Sequence, residues 1–240
     1  MTPYVIINGV SSKQIEGLLI QSLPPISKPK MRIITEEIDG RDGDITTPIG
    51  YAAYDKPITI GLKGNYDVDD VISYFNQGGK ITFSNEIDKY YQYMLYDRID
   101  FNKLVRYKTA TVNIHVQPFK YKEDEQPVIF KDDENTNPII VSKKIINEGN
   151  TYSTPVYKVK GSGDIYFYLN GTKVLKIVVD GEEELTLDTQ SMNLLTSDGI
   201  YYNRHAQGNY DDLYMKSGLN NLTITGSLKY VGISNYSRWL

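Results

Sequence analysis

Cysteine is absent from this 240-residue chain, which removes disulfides, thiolate nucleophiles and cysteine zinc sites together. The same absence suits a reducing cytoplasm or an exposed particle surface, so it does not fix the compartment. Histidine is nearly as scarce, with only His115 and His205. A Ser-His-Asp triad needs a histidine with an acidic partner. His115 falls on the polar face of a regular strand, where it reads as solvated or interfacial, and His205 sits in the loop NRHAQGN with no glycine elbow. Charge of one sign is missing too. The net charge is −4, with 15 basic against 17 acidic side chains in residues 1–130 and 11 against 13 beyond. Neither half is a basic arm, so nucleic acid is not an expected partner. No apolar run approaches the roughly 20 residues that span a bilayer. The opening MTPYVIING has neither a positive region nor a long apolar stretch, so no secretory signal is expected.

What the chain does have is tyrosine: 21, against 6 phenylalanines and one tryptophan. Tyrosine suits half-buried strand faces and interfaces, where the ring packs and the hydroxyl stays wet. The length allows two domains of ordinary size. Tyr4 to Ile7 reads as a strand ended by the turn dipeptide Asn8-Gly9. Leu18 to Leu23 is closed by Pro24-Pro25, and Met31 to Ile38 leads into GRDGD. From Asp44 to Tyr54, Pro48 and Gly50 predict an irregular polar loop. Ile58, Ile60 and Leu62 then share one face of a strand. One helix is expected, capped by Asp67, with Val68, Val71, Ile72 and Phe75 as its apolar stripe and Gly78-Gly79 as its stop. Ile81 to Phe83 and Tyr90 to Ile99 read as two strands. Ala110, Val112, Ile114 and Val116 alternate cleanly up to Pro118, which should end that strand.

Residues 120–138 gather charge and two prolines, which places a linker at 131–137. Beyond it turns come quickly. Asn170-Gly171 makes a type I′ turn, Asp180-Gly181 should start another, and Leu222-Thr223-Ile224-Thr225 alternates again. The expectation is a mainly β protein of two sandwich domains. Residues 1–130 carry one short helix on a sheet, and residues 138–240 form a jelly-roll or lectin-like sandwich.

No chemistry-bearing constellation stands out. The acidic clusters Asp132-Asp133-Glu134 and Glu182-Glu183-Glu184 read as solvated charge beside a linker and a turn. Asp39 to Asp44 lacks the ligand spacing of a calcium loop, and Arg41 would place a cation inside it. Gly40, Arg41, Asp42 and Gly43 instead read as a structural turn, with Arg41 paired to a neighbouring carboxylate. Gly78-Gly79 follows a helix rather than opening one, so it cradles no phosphate. No catalytic group, cofactor or metal is expected. Tyr201, Tyr202, Tyr210 and Tyr214 fall in an irregular region where an aromatic platform could meet either a protein or a sugar. The only tryptophan, Trp239, is penultimate, where chain ends tend to be poorly ordered unless tied down.

The run VIINGVSS, then GRDGDI, then YDKPITIGL, with GLNNLTITG near the end, resembles the distal tail protein (Dit) family of long-tailed phages that infect Gram-positive bacteria. The resemblance implies a structural role without catalysis. It implies a ring, usually a hexamer, at the end of the tail tube, serving as the hub for baseplate assembly. It implies a ring-forming first domain of tail-tube lineage and an outward, galectin-like second domain. Implied partners are further copies of the chain, the tail tube protein, tail-tip proteins and receptor-binding or other baseplate proteins. The implied location is the virion, after assembly in the host cytoplasm. A closed ring joins two different patches of neighbouring copies, and the candidates are Asp44, Tyr51 and Tyr54 on one side and Tyr90 and Tyr93 on the other. On the second domain the comparison favours protein docking. The rival reading is a carbohydrate-binding module of a surface or secreted protein.

Overall fold

Asn8 and Gly9, both at positive φ, turn the chain between β1 (Val5–Ile7) and β2 (Val10–Ser11). The computed structural model in which this is seen describes residues 2–75, 78–97, 99–131 and 139–240. The chain folds as two units, Met1–Glu123 and Asp124–Trp239, each with a core of its own. Both are mainly β.

The first unit continues with β3 (Leu18–Ser22), β4 (Met31–Glu37), β5 (Asp44–Tyr51) and β6 (Tyr54–Leu62). Then follow α1 (Val68–Tyr74), β7 (Gly78–Phe83), β8 (Lys89–Met94), α2 (Phe101–Tyr107) and β9 (Thr109–Lys122). Its main sheet is antiparallel throughout and runs β2-β1-β7-β8-β9-β6-β3. Ala110, Val112, Ile114 and Val116 of β9 are buried on one face, as are Ile58, Ile60 and Leu62 of β6. Both helices close over this core. Asp67 caps α1 by accepting from the Asp69 N–H at 2.8 Å. Val71, Tyr74 and Phe75 turn inward while Ile72 stays exposed, because the Tyr74 hydroxyl reaches back to the Val5 carbonyl at 3.0 Å.

Several local expectations are corrected. Gly78 and Gly79 open β7 instead of stopping the helix. The strand expected to run to Ile99 ends at Met94, and α2 follows, anchored by the fully buried Leu104. β9 does not end at Pro118. Its register against β8 slips between Tyr91–Lys120 and Tyr93–Val116, and the proline sits inside that bulge, where no ladder N–H is required. The expected loop 44–54 is largely β5, which pairs with β4 as a separate two-stranded ribbon. Ile45, Thr46, Thr47 and Ile49 favour a strand. Pro48 and Gly50 are absorbed at a register shift opposite Ile33 and Arg32.

The second unit comprises β10 (Val128–Lys131), β11 (Ile139–Asn147), β12 (Val156–Leu169), β13 (Thr172–Asp188), β14 (Asn193–Thr196), β15 (Ala206–Gly208) and β16 (Gly218–Ser234). β10 pairs with β16 and so belongs to this unit, ahead of the boundary expected at 131–137. Residues 132–137 of that expected linker lie outside the described residues, as do Asp132, Asp133 and Glu134. β12, β13 and β16 are long and bent. One end of each lies with β10 and β14, the other with β11 and β15. The bend in β16 needs Gly226, at φ 149°, where a Cβ would stand 2.8 Å from the Asp164 carbonyl. Asp180-Gly181, expected as a hairpin turn, instead sits in the bulge of β13 between Val179 and Glu183. Asn170-Gly171 does make the two-residue turn between Leu169 and Thr172. A single core fills the space between the two halves, and Tyr157 meets Phe167 edge to face across it at 5.7 Å.

Candidate interaction surfaces

The ribbon β4–β5 is reached through an extended arm, residues 23–30, which carries Pro24 and Pro25. Because such a segment cannot satisfy its own carbonyls, neighbouring side chains do so. Lys56 Nζ donates to the Pro25 carbonyl at 2.9 Å, Asn85 Nδ2 to Pro24 at 3.2 Å and the Tyr54 hydroxyl to Ser27 at 3.3 Å. The Ala52 N–H closes the base of the ribbon on the Lys30 carbonyl at 2.9 Å. Lys56 is only 3% exposed. Its ammonium lies 5.1 Å from the Tyr91 ring centre, 5.5 Å from Tyr54 and 5.7 Å from Phe83. Burial lowers its pKa to about 8 against the partial opposition of the Glu86 carboxylate. Glu86 itself is paired with the buried Lys120 at 2.8 Å.

Beyond the arm, every residue from Met31 to Gly50 is exposed. Ile33 and Ile34 remain 50% and 49% accessible on opposite faces, and Ile45 and Ile49 are also exposed. Among the described residues neither outer edge of the ribbon is paired. An isolated two-stranded ribbon is marginal in water, and edges of this kind are templates for another chain. Charge is divided along it: Lys28, Lys30 and Arg32 lie at the base, and Glu36, Glu37, Asp39, Asp42 and Asp44 crowd the tip. The GRDG turn is closed by the Arg41 N–H on the Ile38 carbonyl at 3.1 Å, with Gly40 and Gly43 both at φ 78°. The expected ion pair of Arg41 does not form with any described carboxylate.

The candidate ring residues separate into two groups. Asp44 opens β5 in full exposure, Tyr51 ends it against Phe119 (ring centres 5.7 Å apart), and Tyr54 holds the arm. Tyr90 and Tyr93 are corrected: both are buried within the unit, Tyr90 stacked on Tyr121 at 5.5 Å and Tyr93 in the core, so neither offers a face to a neighbour. His115 stands opposite Asp55 in the β6–β9 ladder, its Nδ1 2.7 Å from Asp55 Oδ1, with Tyr96 edge-on. Among the described residues no three His, Asp or Glu side chains gather as metal ligands, and no helix is long and apolar enough to cross a membrane.

In the second unit the four candidate tyrosines do not share one platform. Tyr201 is 69% exposed. Tyr202 stacks on His205 (3.8 Å, 11°), and its hydroxyl accepts from the Asp180 N–H at 3.3 Å. Tyr210 packs on the core and donates to Asn203 Oδ1. Tyr214 stacks instead on Tyr152 (5.4 Å, 12°), a partner far away in sequence and unmarked by any local pattern. The loops carrying these two rings are joined by Ser153 and Met215, whose backbones bond reciprocally at 2.8 and 3.2 Å. The chain end is tied down beside them. The buried Arg238 donates from Nε to the Tyr152 carbonyl at 2.8 Å, and its guanidinium lies 4.4 Å from the Tyr152 ring centre. Burial and the Asp211 carboxylate push the Tyr214 phenol up to about 12. Next to this stack runs an open groove of about 510 Å³. Glu182 is exposed and pairs at the surface with Lys160 and Lys229 at 3.5 and 2.5 Å.

No protein-family model matches the chain, and no curated protein matches it. Among solved structures it is similar to the crystal structure of SPP1 Dit (gp 19.1), described as a paradigm of the hub adsorption apparatus in phages that infect Gram-positive bacteria. Identity is 16%, the match covers 100% of both chains, and the TM-score is 0.67. Over its whole length the chain therefore has the fold of that Dit protein.

Proposed function

We propose that the chain is a structural component of a phage tail, a ring-forming hub at the distal end of the tail tube. The observation that carries this reading is the β4–β5 ribbon, with exposed isoleucines and, among the described residues, two unpaired edges of the kind that template pairing with another chain. The full-length likeness to a protein described as part of a hub adsorption apparatus supports it. In this reading copies of the first unit join as a closed ring, a hexamer, each ribbon lying on the next copy. Asp44 and Tyr51 lie in the contact. The second unit, a galectin-like sandwich, faces outward as the docking module for tail-tip, receptor-binding or other baseplate proteins, while the tail tube protein meets the ring. The role is structural, and the place is the virion. The rival, a monomeric carbohydrate-binding module, predicts one copy per particle at every concentration. Light scattering and negative-stain imaging of the full chain over a wide concentration range separate the two. Closed rings support the hub, and a persistent monomer removes self-assembly as an intrinsic property.

A further inference from the structure

The hub reading has each ribbon lie on the next copy and leaves open what receives it. Resting on that reading, we propose that β4 of one copy adds as an antiparallel strand to the outer edge of β11 in the next, with Ile34 opposite Ile146.

Only one edge of the ribbon is suited to pairing. β5 carries Pro48, which brings no N–H, and an extra residue, Ile49, opposite β4. Proline and bulges are devices that spoil an edge. β4 has neither within its seven residues, and the β-branched Ile33, Ile34 and Thr35 at its centre suit a strand. On the receiving side, β11 pairs with β16 over all nine of its residues without a register shift. Among the described residues nothing pairs with its other edge. By contrast β2, β3, β10, β14 and β15, which also end sheets, have only two to five residues. Short edges resist pairing, and a long regular one invites it. Beside this edge Ile146 and Leu219, opposite each other in the β11–β16 ladder, are 57% and 55% exposed.

Charge and side-chain character select the register. Successive strand residues point to opposite faces, so a match is read at every second position. On β11, Lys144 and Ile146 are exposed while Ile145 and Asn147 are buried. With Ile34 set antiparallel against Ile146, Glu36 falls opposite Lys144 and Arg32 opposite Glu148 on that same outer face. Glu37 falls opposite Lys143. Ile34, Ile146 and Leu219 then make one apolar row across three strands. A parallel pairing that keeps Ile34 beside Ile146 sets Arg32 against Lys144 and Glu36 against Glu148, like charges in both places. Because β4 and β11 are different strands, the contact is heterologous and can repeat from copy to copy around a ring. The other use of the same edge, β4 against β4, is two-fold and stops at a dimer.

The test uses cysteine pairs in the full chain, which has no cysteine of its own. On oxidation, Ile34→Cys/Ile146→Cys should give a ladder of covalent oligomers up to the size of the ring, since directly opposed Cβ atoms lie within disulfide reach. Ile34→Cys alone and Ile146→Cys alone should remain monomeric on a denaturing gel. Lys144→Glu should raise the concentration of half-assembly at least about tenfold, and Glu36→Lys/Lys144→Glu should restore it. The absence of covalent oligomers, a bond closed within one chain, or dimers from Ile34→Cys alone would each overturn the proposal. So would a Lys144→Glu protein that assembles like the wild type. If wild-type rings form beside any of these results, the hub reading stands without this contact. Covalent ladders from a wild type that never closes a ring would keep the strand pairing and remove the hub.

Discussion

Lys56 Nζ holds the Pro25 carbonyl at 2.9 Å from a site walled by three aromatic rings. The contact fixes the arm that leads to the ribbon, and the burial of the ammonium gives the first unit a pH dependence. The folded state releases the Lys56 proton near pH 8, the unfolded chain near 10.5. Between those values the unfolded state binds more protons, so stability rises with pH, by up to about 2–3 kcal/mol. Above pH 10 the sign reverses, because burial raises the Tyr74 and Tyr91 phenols above their ordinary value. Urea unfolding across pH 7–11 should show this maximum. Lys56→Met should flatten the rising limb and leave the falling one.

Ile33, Ile34 and Ile45 are exposed, so charging them costs the folded protomer little, within about 0.5 kcal/mol. The double variant Ile33→Asp/Ile45→Asp should melt like the wild type and fail to form rings. Light scattering beside circular dichroism reads both. A variant that still assembles would place the contact elsewhere.

Arg41 has no described ionic partner, and the GRDG turn is closed by the backbone. Arg41→Lys should leave both thermal unfolding and assembly unchanged. A fall in either would show that the guanidinium finds its carboxylate on another chain.

Tyr157 is fully buried and donates its hydroxyl to the Leu213 carbonyl at 3.0 Å. Tyr157→Phe leaves that carbonyl unsatisfied and should cost about 1–2 kcal/mol. Tyr157→Ala opens a cavity between the two halves of the second unit and should cost about 3–5 kcal/mol. Chemical denaturation of the two variants checks the ranking.

Features decided by the local chain were legible from sequence. Asn8-Gly9 and Asn170-Gly171 demand positive φ wherever they lie, and the alternation of Ala110 to Val116 reports its own buried face. Asp67 caps its helix through a neighbour two residues away. Features decided by a partner strand were not. Pro118 and Asp180-Gly181 carry local signals for a stop and a turn, yet each falls where its own strand has more residues than the partner strand opposite, which converts the signal into a bulge. Pro48 hid β5 in the same way. Among the described side chains of the short helix α2 only Leu104 is buried, too little for a periodic stripe. Tyr90 and Tyr93 looked available because tyrosine abundance says nothing of which rings the fold buries. The pairing of Tyr214 with Tyr152 is tertiary, and no spacing announces it.

The bent strands of the second unit also bear on force. β12, β13 and β16 run for 14, 17 and 17 residues; β12 pairs with both of the others along its length, β16 reaches β10 on one side of the bend and β11 on the other, and β13 reaches β14 and β15. Tension entering at one end of such a strand passes along covalent backbone into the other half without crossing a loop. The two layers cannot be peeled apart in sequence, since freeing one means tearing ladders that run into the other. A module built this way yields all at once at high load, with no soft intermediate.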